Sequence, residues 1–108
     1  MQSLAAIADP TRRRIVELLA QRERTAGELV DEFDMSAPAI SQHLKVLEGA
    51  GLIVVRVDGT RRPRRLAKQG IEAMDQWLAM LRNAMEKNYD RLDQVLSAME
   101  HPRKGKKK

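Results

Sequence analysis

Helix-start signals recur at short intervals in the first half of the chain. Asp9 followed by Pro10 combines a side-chain cap with a residue suited to the first helical turn. Thr25 and Glu28 have the spacing of a capping box, in which each side chain accepts from the other residue's backbone amide. A third start follows at Ser36. The sequence therefore predicts three helices in close succession.

Apolar residues at helical spacing support all three helices. The first helix is expected over residues 10–22, and the second is short and ends near residues 34–35. The third spans residues 36–50, where Ala50 and Gly51 supply a left-handed stop. Its apolar stripe, at i, i+4 and i+7, consists of Ile40, Leu44 and Leu47.

The chain changes to strand character after Gly51. Residues 52–57 are rich in β-branched side chains and lead into Asp58-Gly59, a dipeptide typical of hairpin turns. A second extended run covers residues 60–66, and its Pro63 suits an edge because it has no amide to donate. A two-stranded ribbon is expected here.

A long final helix is predicted from about residues 68–71 onward. Its apolar residues recur three and four positions apart, as in a coiled coil, with Asn88 as the one polar interruption. At about 1.5 Å per residue the helix reaches roughly 45 Å, more than so small a body can cover. Part of this apolar seam therefore needs a second chain. The seam consists of Ile71, Met74, Leu78, Leu81, Met85, Leu92, Val95 and Met99.

The charge of the chain is concentrated at its end. The 108 residues suit one domain, and 20 Lys plus Arg against 15 Asp plus Glu give a net charge of +5, which favours a polyanionic partner. Five of the basic residues lie in residues 103–108, so residues 1–102 are neutral overall. We expect one domain over residues 1–100 and a basic, disordered tail over residues 101–108.

Several protein classes are disfavoured by composition. The absence of cysteine excludes disulfides and thiolate chemistry, and no apolar run has the roughly 20 residues of a membrane span. With Phe33, Trp77 and Tyr89 as the aromatic residues, the chain lacks a stacking platform for single-stranded bases. It also lacks a nucleophile–base pair, a carboxylate cleft and a phosphate-binding glycine loop. We expect a soluble cytoplasmic protein that is not an enzyme and binds no cofactor.

The order of elements predicts a mainly α winged helix-turn-helix fold. Two helices joined by a short link near residues 34–36 precede a ribbon that corresponds to the wing, and a long helix follows. Four to five helices and a two-stranded hairpin are expected in total. This fold is typical of readers of duplex DNA.

The same segments resemble the arsenic-repressor-type (ArsR) family of bacterial winged-helix repressors. The resemblance is densest over residues 4–66 and rests on ADPTRRRI at 8–15, MSAPAISQHLKVL at 35–47, AGLI at 50–53 and RVDG at 56–59. It implies a homodimeric repressor whose two recognition helices enter successive major grooves of a near-palindromic operator. It also implies a dimer interface formed by the first and last helices, to which we assign Leu4, Ile7, Ile71, Met74, Leu78, Leu81, Met85, Leu92 and Val95.

The helix from Ser36 has a candidate base-reading surface opposite its apolar stripe. Ser41 and Gln42 can exchange hydrogen bonds with base edges, and Ala37 and Pro38 can contact thymine methyl groups. Such helices read bases with their amino-terminal residues. A simpler alternative is that these residues face only solvent.

Phosphate contacts are predicted around this surface. Ser36 and Lys45 flank it, and the ribbon concentrates arginines against the single acid Asp58. Family members often carry an aromatic residue in the second strand, at or near the position of Arg64, so the resemblance does not determine how the ribbon packs there. The ribbon arginines assigned to the DNA backbone or to a neighbouring minor groove are Arg56, Arg61, Arg62, Arg64 and Arg65.

Three basic residues and one histidine permit two interpretations each. Arg12, Arg13 and Arg14 open the first helix, where they either approach DNA or pair with acids such as Glu17. His43 lies at the edge of the apolar stripe, where it is either packed or in contact with phosphate.

This chain lacks the metal-coordinating residues that the resemblance places at the known inducer sites of the family. Metal sensors of the family place cysteines in the second of these helices, where this sequence has Val30 and Glu32. The last helix has acids but no histidine before His101, so a tight transition-metal site is not expected. Trp77 and the methionines fit an interface core better than a ligand pocket. An unknown effector remains possible.

Two function classes compete. The first is a sequence-specific regulator that binds double-stranded DNA as a homodimer, with no membrane partner. The alternative is a winged-helix interaction module whose basic ribbon binds an acidic protein. The uncharged outward residues Ser41 and Gln42 favour the first class, because an interaction module has no need of them at that end.

Overall fold

The computed structural model describes residues 2–100, except for the side chains of Val95, Met99 and Glu100. The predicted tail at residues 101–108 lies outside these residues. Five helices and one antiparallel hairpin confirm the predicted mainly α winged helix-turn-helix. In chain order they are α1 (Gln2–Ile7), α2 (Pro10–Gln21), α3 (Ala26–Val30), α4 (Ala37–Gly49), β1 (Ile53–Val55), β2 (Arg64–Leu66) and α5 (Lys68–Glu100).

All three predicted helix caps are formed. The side chains of Asp9 and Ser36 accept hydrogen bonds from the backbone amides three residues later, at 3.0 and 3.3 Å. Thr25 and Glu28 form the reciprocal capping box, with distances of 2.8 and 3.2 Å between the two amide–side-chain pairs. The amide of Thr25 donates to the Glu28 carboxylate and thereby lowers the pKa of that group. Each helix of the trio thus begins where its sequence signal lies.

Helix α3 is shorter than expected. It ends at Val30 rather than near residues 34–35, because the amides of Glu32 and Phe33 bond back to carbonyls only three residues earlier. Phe33 still packs against the core, but from a turn. The link to α4 is therefore a chain of tight turns over residues 31–36.

The hydrophobic core consists of buried apolar side chains from α1, α2, α3, α4 and the start of the ribbon. The predicted stripe of α4 is buried, with Ile40, Leu44 and Leu47 at most 1% exposed. These side chains pack against α2, α3 and the strand that follows α4. The complete buried apolar set is Ala6, Ile15, Leu18, Leu19, Leu29, Ile40, Leu44, Leu47, Leu52 and Ile53.

The ribbon is a two-stranded antiparallel sheet. Its register pairs Ile53 with Leu66 and Val55 with Arg64. At its tip Asp58 and Arg61 exchange two backbone hydrogen bonds of 3.1 and 2.9 Å. The central turn residues are therefore 59 and 60, one position later than the predicted dipeptide, and Gly59 supplies the required positive φ of 64°.

A further backbone pairing extends the sheet beyond the expected ribbon. Arg24, between α2 and α3, exchanges hydrogen bonds of 3.0 and 2.7 Å with Arg64 on β2. The Arg24 side chain is buried and donates to the Leu18 carbonyl at 3.2 Å. A single bridging residue has no alternating pattern, so the sequence did not reveal it. It ties the α2–α3 connection to the ribbon.

Helix α5 belongs to two compact units, which divide after Met74. In the first unit Ile71 and Met74 pack against the core of their own chain. In the second unit the apolar seam is open to solvent, with Leu78, Met85 and Leu92 exposed by 44%, 50% and 53%. Among residues 2–100, no helix is both long and apolar enough to cross a membrane.

The start of α5 approaches the turn between α4 and β1 very closely. A Cβ atom placed on Gly70 would lie 3.3 Å from the Leu52 Cα and nearer still to the carbonyl group of Gly51. Gly51 has a φ of 77° and forms the left-handed stop predicted for α4. Gly70 is thus required by the close contact between two backbones.

We expect Gly70→Ala to lower the free energy of unfolding by about 1–3 kcal/mol, since backbone must move to admit the methyl group. The matched control is Gly49→Ala in α4, where no atom lies within 4 Å of the added Cβ. That change should be neutral or stabilise by up to about 1 kcal/mol, the helix-propensity difference. Urea denaturation of both variants measures this; equal effects would refute the close-contact role of Gly70.

Candidate nucleic-acid interface

The amino-terminal half of α4 presents a continuous uncharged surface. All four predicted base-reading residues are exposed, whereas the stripe formed by Ile40, Leu44 and Leu47 is buried. We call this group the reading surface: Ala37, Pro38, Ser41 and Gln42. Lys45 is exposed one turn further along the helix, and Ser36 is exposed at its start. The Ser36 hydroxyl accepts from the Ala39 amide in capping α4, and its O–H remains free to donate to a phosphate.

A polar cluster holds α4 against the junction of α1 and α2. Arg12 donates from Nε to the Ala6 carbonyl at 2.6 Å and from NH1 towards His43 Nδ1 at 3.3 Å. Because a guanidinium only donates, His43 accepts through Nδ1 in this arrangement. Asp9 Oδ2 lies 3.9 Å from the same nitrogen. His43 is therefore packed, and Arg12 bridges helices; of its two neighbours, Arg14 pairs with Glu17 at 3.4 Å.

The five ribbon arginines have different environments. Arg56, Arg61, Arg62 and Arg65 are exposed, whereas Arg64 is half-buried. Arg64 donates from NH1 to the Arg62 carbonyl at 2.8 Å, and its Nε is buried without a partner among the described residues. These contacts hold Arg64 against its own ribbon, which leaves it poorly placed to meet a phosphate.

Acidic residues around the α2–α3 connection neutralise part of the ribbon. Glu23 accepts two hydrogen bonds from the guanidinium of Arg56, one from NH2 and one from Nε at 3.4 Å. This pairing lowers the pKa of Glu23 and raises that of Arg56. Glu28 lies 3.8 Å from Arg61. Asp58 is the single acid within the ribbon segment, but folding brings Glu23 and Glu28 beside it.

Two arginines remain outside these ion pairs. Arg62 donates to the carbonyls of Gly59 and Arg61 at 2.9 and 3.0 Å, which holds its guanidinium at the tip of the ribbon. Arg65 points outward from β2 beside Val54 and Lys68 at a groove of about 380 Å³. Within residues 2–100 neither arginine forms an ion pair with an acid. They are the positive groups most available to phosphate.

Known proteins with these features are bacterial regulators. Residues 9–55 match the family model for bacterial regulatory protein, arsR family. A crystal structure of an ArsR family transcriptional regulator superposes with a TM-score of 0.71 and 33% identity, covering 79% of this chain and 88% of that one. The chain belongs to the ArsR family. Its relatives are transcriptional regulators, which agrees with the expectation that it is not an enzyme.

Two further bacterial proteins extend the comparison. The HTH-type transcriptional regulator Rv2034 of Mycobacterium tuberculosis is 49% identical over 69 residues, 64% of each protein. A homodimeric winged helix-turn-helix DNA-binding domain from Mycobacterium bovis superposes with a TM-score of 0.62 and 27% identity, covering 76% of each chain. The chain spans less than two thirds of the length of the curated relatives it matches.

The family resemblance aligns Val30 and Glu32 with the positions expected for sensor cysteines, and the absence of a metal response stays a prediction. In the described part of the chain, no three His, Cys, Asp or Glu side chains are grouped closely enough to hold a metal ion.

Sequence reasoning missed the acids that act on the ArsR ribbon. Glu23 and Glu28 lie about 30 residues before the arginines they meet, so only the fold brings them together. The one available signal was the alternation of charge at residues 22–24, Arg-Glu-Arg, next to the capping box.

Proposed function

We propose that this chain is a sequence-specific transcriptional regulator that binds duplex DNA as a homodimer and represses from a near-palindromic operator. The observation that supports this most directly is the uncharged reading surface of α4 beside an arginine-rich ribbon. Membership of the ArsR family supports it independently, and one relative is a transcriptional repressor, SdpR of Bacillus subtilis.

The chemistry of the reading surface suits the major groove. Gln42 can bond to adenine N6 and N7 together, and Ser41 can donate or accept at several base edges. Ala37 and Pro38 are exposed apolar groups at the end of the helix that enters the groove in such folds. A surface without charge at this place favours contacts with bases over contacts with phosphates.

The cationic residues fit the DNA backbone on either side of that surface. Lys45 extends α4 beyond the base-reading end, while Arg62 and Arg65 lie on the ribbon free of acidic partners in the described chain. Arg61 forms an ion pair with Glu28, and Arg56 forms one with Glu23. Phosphate contacts of this kind position the protein and make its affinity depend on salt.

Dimerisation through α5 is proposed because its second unit exposes a long apolar seam. A row of solvent-exposed Leu and Met side chains on a helix is costly unless another surface covers it. Leu4 and Ile7 of α1, and Ile71 and Met74 of α5, are already half-buried in their own chain. Hence Leu78, Leu81, Met85 and Leu92 are the residues best placed for a partner, and the family's homodimeric relative supports that choice.

The division between base and phosphate contacts predicts two distinct defects. Gln42→Ala should relax base preference and cost about 1–3 kcal/mol at the position it reads, with an unchanged salt slope. Arg62→Ala should weaken binding to all duplexes alike and reduce the slope of log K against log salt by about 0.9. Fluorescence anisotropy with the chain's own promoter fragment and a scrambled duplex measures both quantities.

The matched control for this comparison is Gln76→Ala, which removes the same side chain from an exposed position on α5 where it forms no hydrogen bond with the described residues. Its base preference should equal that of the unmodified chain. If Gln42→Ala and Arg62→Ala change affinity and salt slope in the same way, the proposed division is incorrect. If the unmodified chain binds every duplex equally, the proposal of sequence-specific regulation fails.

The exposed seam of α5 predicts a dimer that a single charge can disrupt. Met85→Glu should shift the chain from dimer to monomer, since it places a carboxylate within an apolar contact. Glu86→Gln, at the neighbouring exposed position, is the control and should leave the dimer intact. Analytical ultracentrifugation gives the mass of each; a monomeric unmodified chain at micromolar concentration would refute the interface.

A further inference from the structure

Arg56 is held by an acid of its own chain rather than presented to solvent. Its guanidinium bonds to both carboxylate oxygens of Glu23, and Asp58 Oδ2 lies 3.9 Å from its NH2. The Arg56 side chain is nevertheless 46% exposed, so an external anion can reach it. Arg56 therefore has a bound carboxylate where a phosphate would otherwise sit.

A carboxylate and a phosphate compete for the same guanidinium edge. Both anions accept two parallel N–H bonds from arginine, so they cannot occupy that edge together. A phosphate that displaced Glu23 would also leave an uncompensated carboxylate beside it, which is repulsive. Arg62, which meets only backbone carbonyls, has no such competitor among the described residues.

We propose that Glu23 is a positioning residue that limits the affinity of this chain for DNA by occupying Arg56 in competition with a backbone phosphate. The inference rests on the proposed DNA-binding function. It assigns to Glu23 a negative contribution: the residue lowers the sequence-independent part of binding and leaves base readout unchanged. A moderate phosphate affinity keeps such a protein from being retained on the many non-specific sites of a genome.

Glu23 carries this role better than its neighbour Glu28 does. Glu28 also accepts from the amide of Thr25 in the capping box and lies 3.3 Å from Arg22. Replacing it would damage α3 as well as free Arg61. Glu23 precedes α3 and forms its one described ion pair with Arg56, so Glu23→Gln breaks one ion pair. Arg65 and Arg61 lie near enough to lower the pKa of Glu23 further without pairing with it.

The first test measures the salt dependence of DNA binding. Glu23→Gln should add one phosphate contact and so steepen the slope of log K against log salt by about 0.9. The ratio of the variant's affinity to that of the unmodified chain should therefore be about eightfold higher at about 0.1 M salt than at about 1 M salt. Specific and scrambled duplexes should gain by the same factor. Glu17→Gln is the matched control, because it removes the same charge and also breaks one arginine pair, with Arg14; its slope should not change.

A double-variant cycle shows whether Glu23 acts through Arg56. The gain from Glu23→Gln should disappear when the background carries Arg56→Ala. A gain that persists there would mean that the carboxylate repels DNA at a distance, and the proposal would be overturned. A loss of affinity in Glu23→Gln would overturn it too, because the Glu23–Arg56 ion pair would then stabilise the DNA-bound conformation.

The second test requires no DNA. In the full chain, carbon-detected NMR titration should find the pKa of the Glu23 carboxyl below its ordinary value, and Arg56→Ala should return it towards that value. An unshifted Glu23 refutes the ion pair on which the proposal depends. If the titration shows the ion pair but the unmodified chain binds no duplex, the proposed function is what fails.

Discussion

The burial of one face of α4 is the constraint on which the rest of this structure depends. Ile40, Leu44 and Leu47 are removed from water against α2, α3 and β1, and this fixes the rotation of the helix about its own axis. Since side chains on a helix are spaced by about 100°, that rotation alone turns Ser41 and Gln42 outward. The hydrophobic core therefore determines which residues a DNA duplex can meet.

Acidic residues distant in sequence determine which arginines of the ribbon are paired. Arg24 pairs its backbone with Arg64 and so brings the α2–α3 connection, with Glu23, beside the ribbon. A run of arginines that has one acid in the sequence consequently has three in the fold. Arg62 and Arg65 form no ion pair among the described residues, whereas Arg56 and Arg61 pair with acids of the same chain.

Features encoded by neighbouring residues could be predicted, and those created by tertiary contact could not. The caps at Asp9, Thr25 and Ser36 depend on residues three apart, so their positions were correct. The early end of α3, the one-residue shift of the ribbon turn and the close approach at Gly70 arise from packing between elements. The reading surface followed from helical periodicity, but the partners of each ribbon arginine required the fold.

The most direct test of the central claim is to determine which DNA sequences the unmodified chain selects from a random duplex pool. The account predicts an enriched near-palindrome whose two half-sites are centred about one helical turn apart, roughly 10 base pairs, or a multiple of that spacing. Protection should lie in the major groove of each half-site. A pool that shows no enrichment, or a single half-site without a symmetric mate, would contradict a dimer that reads DNA through α4.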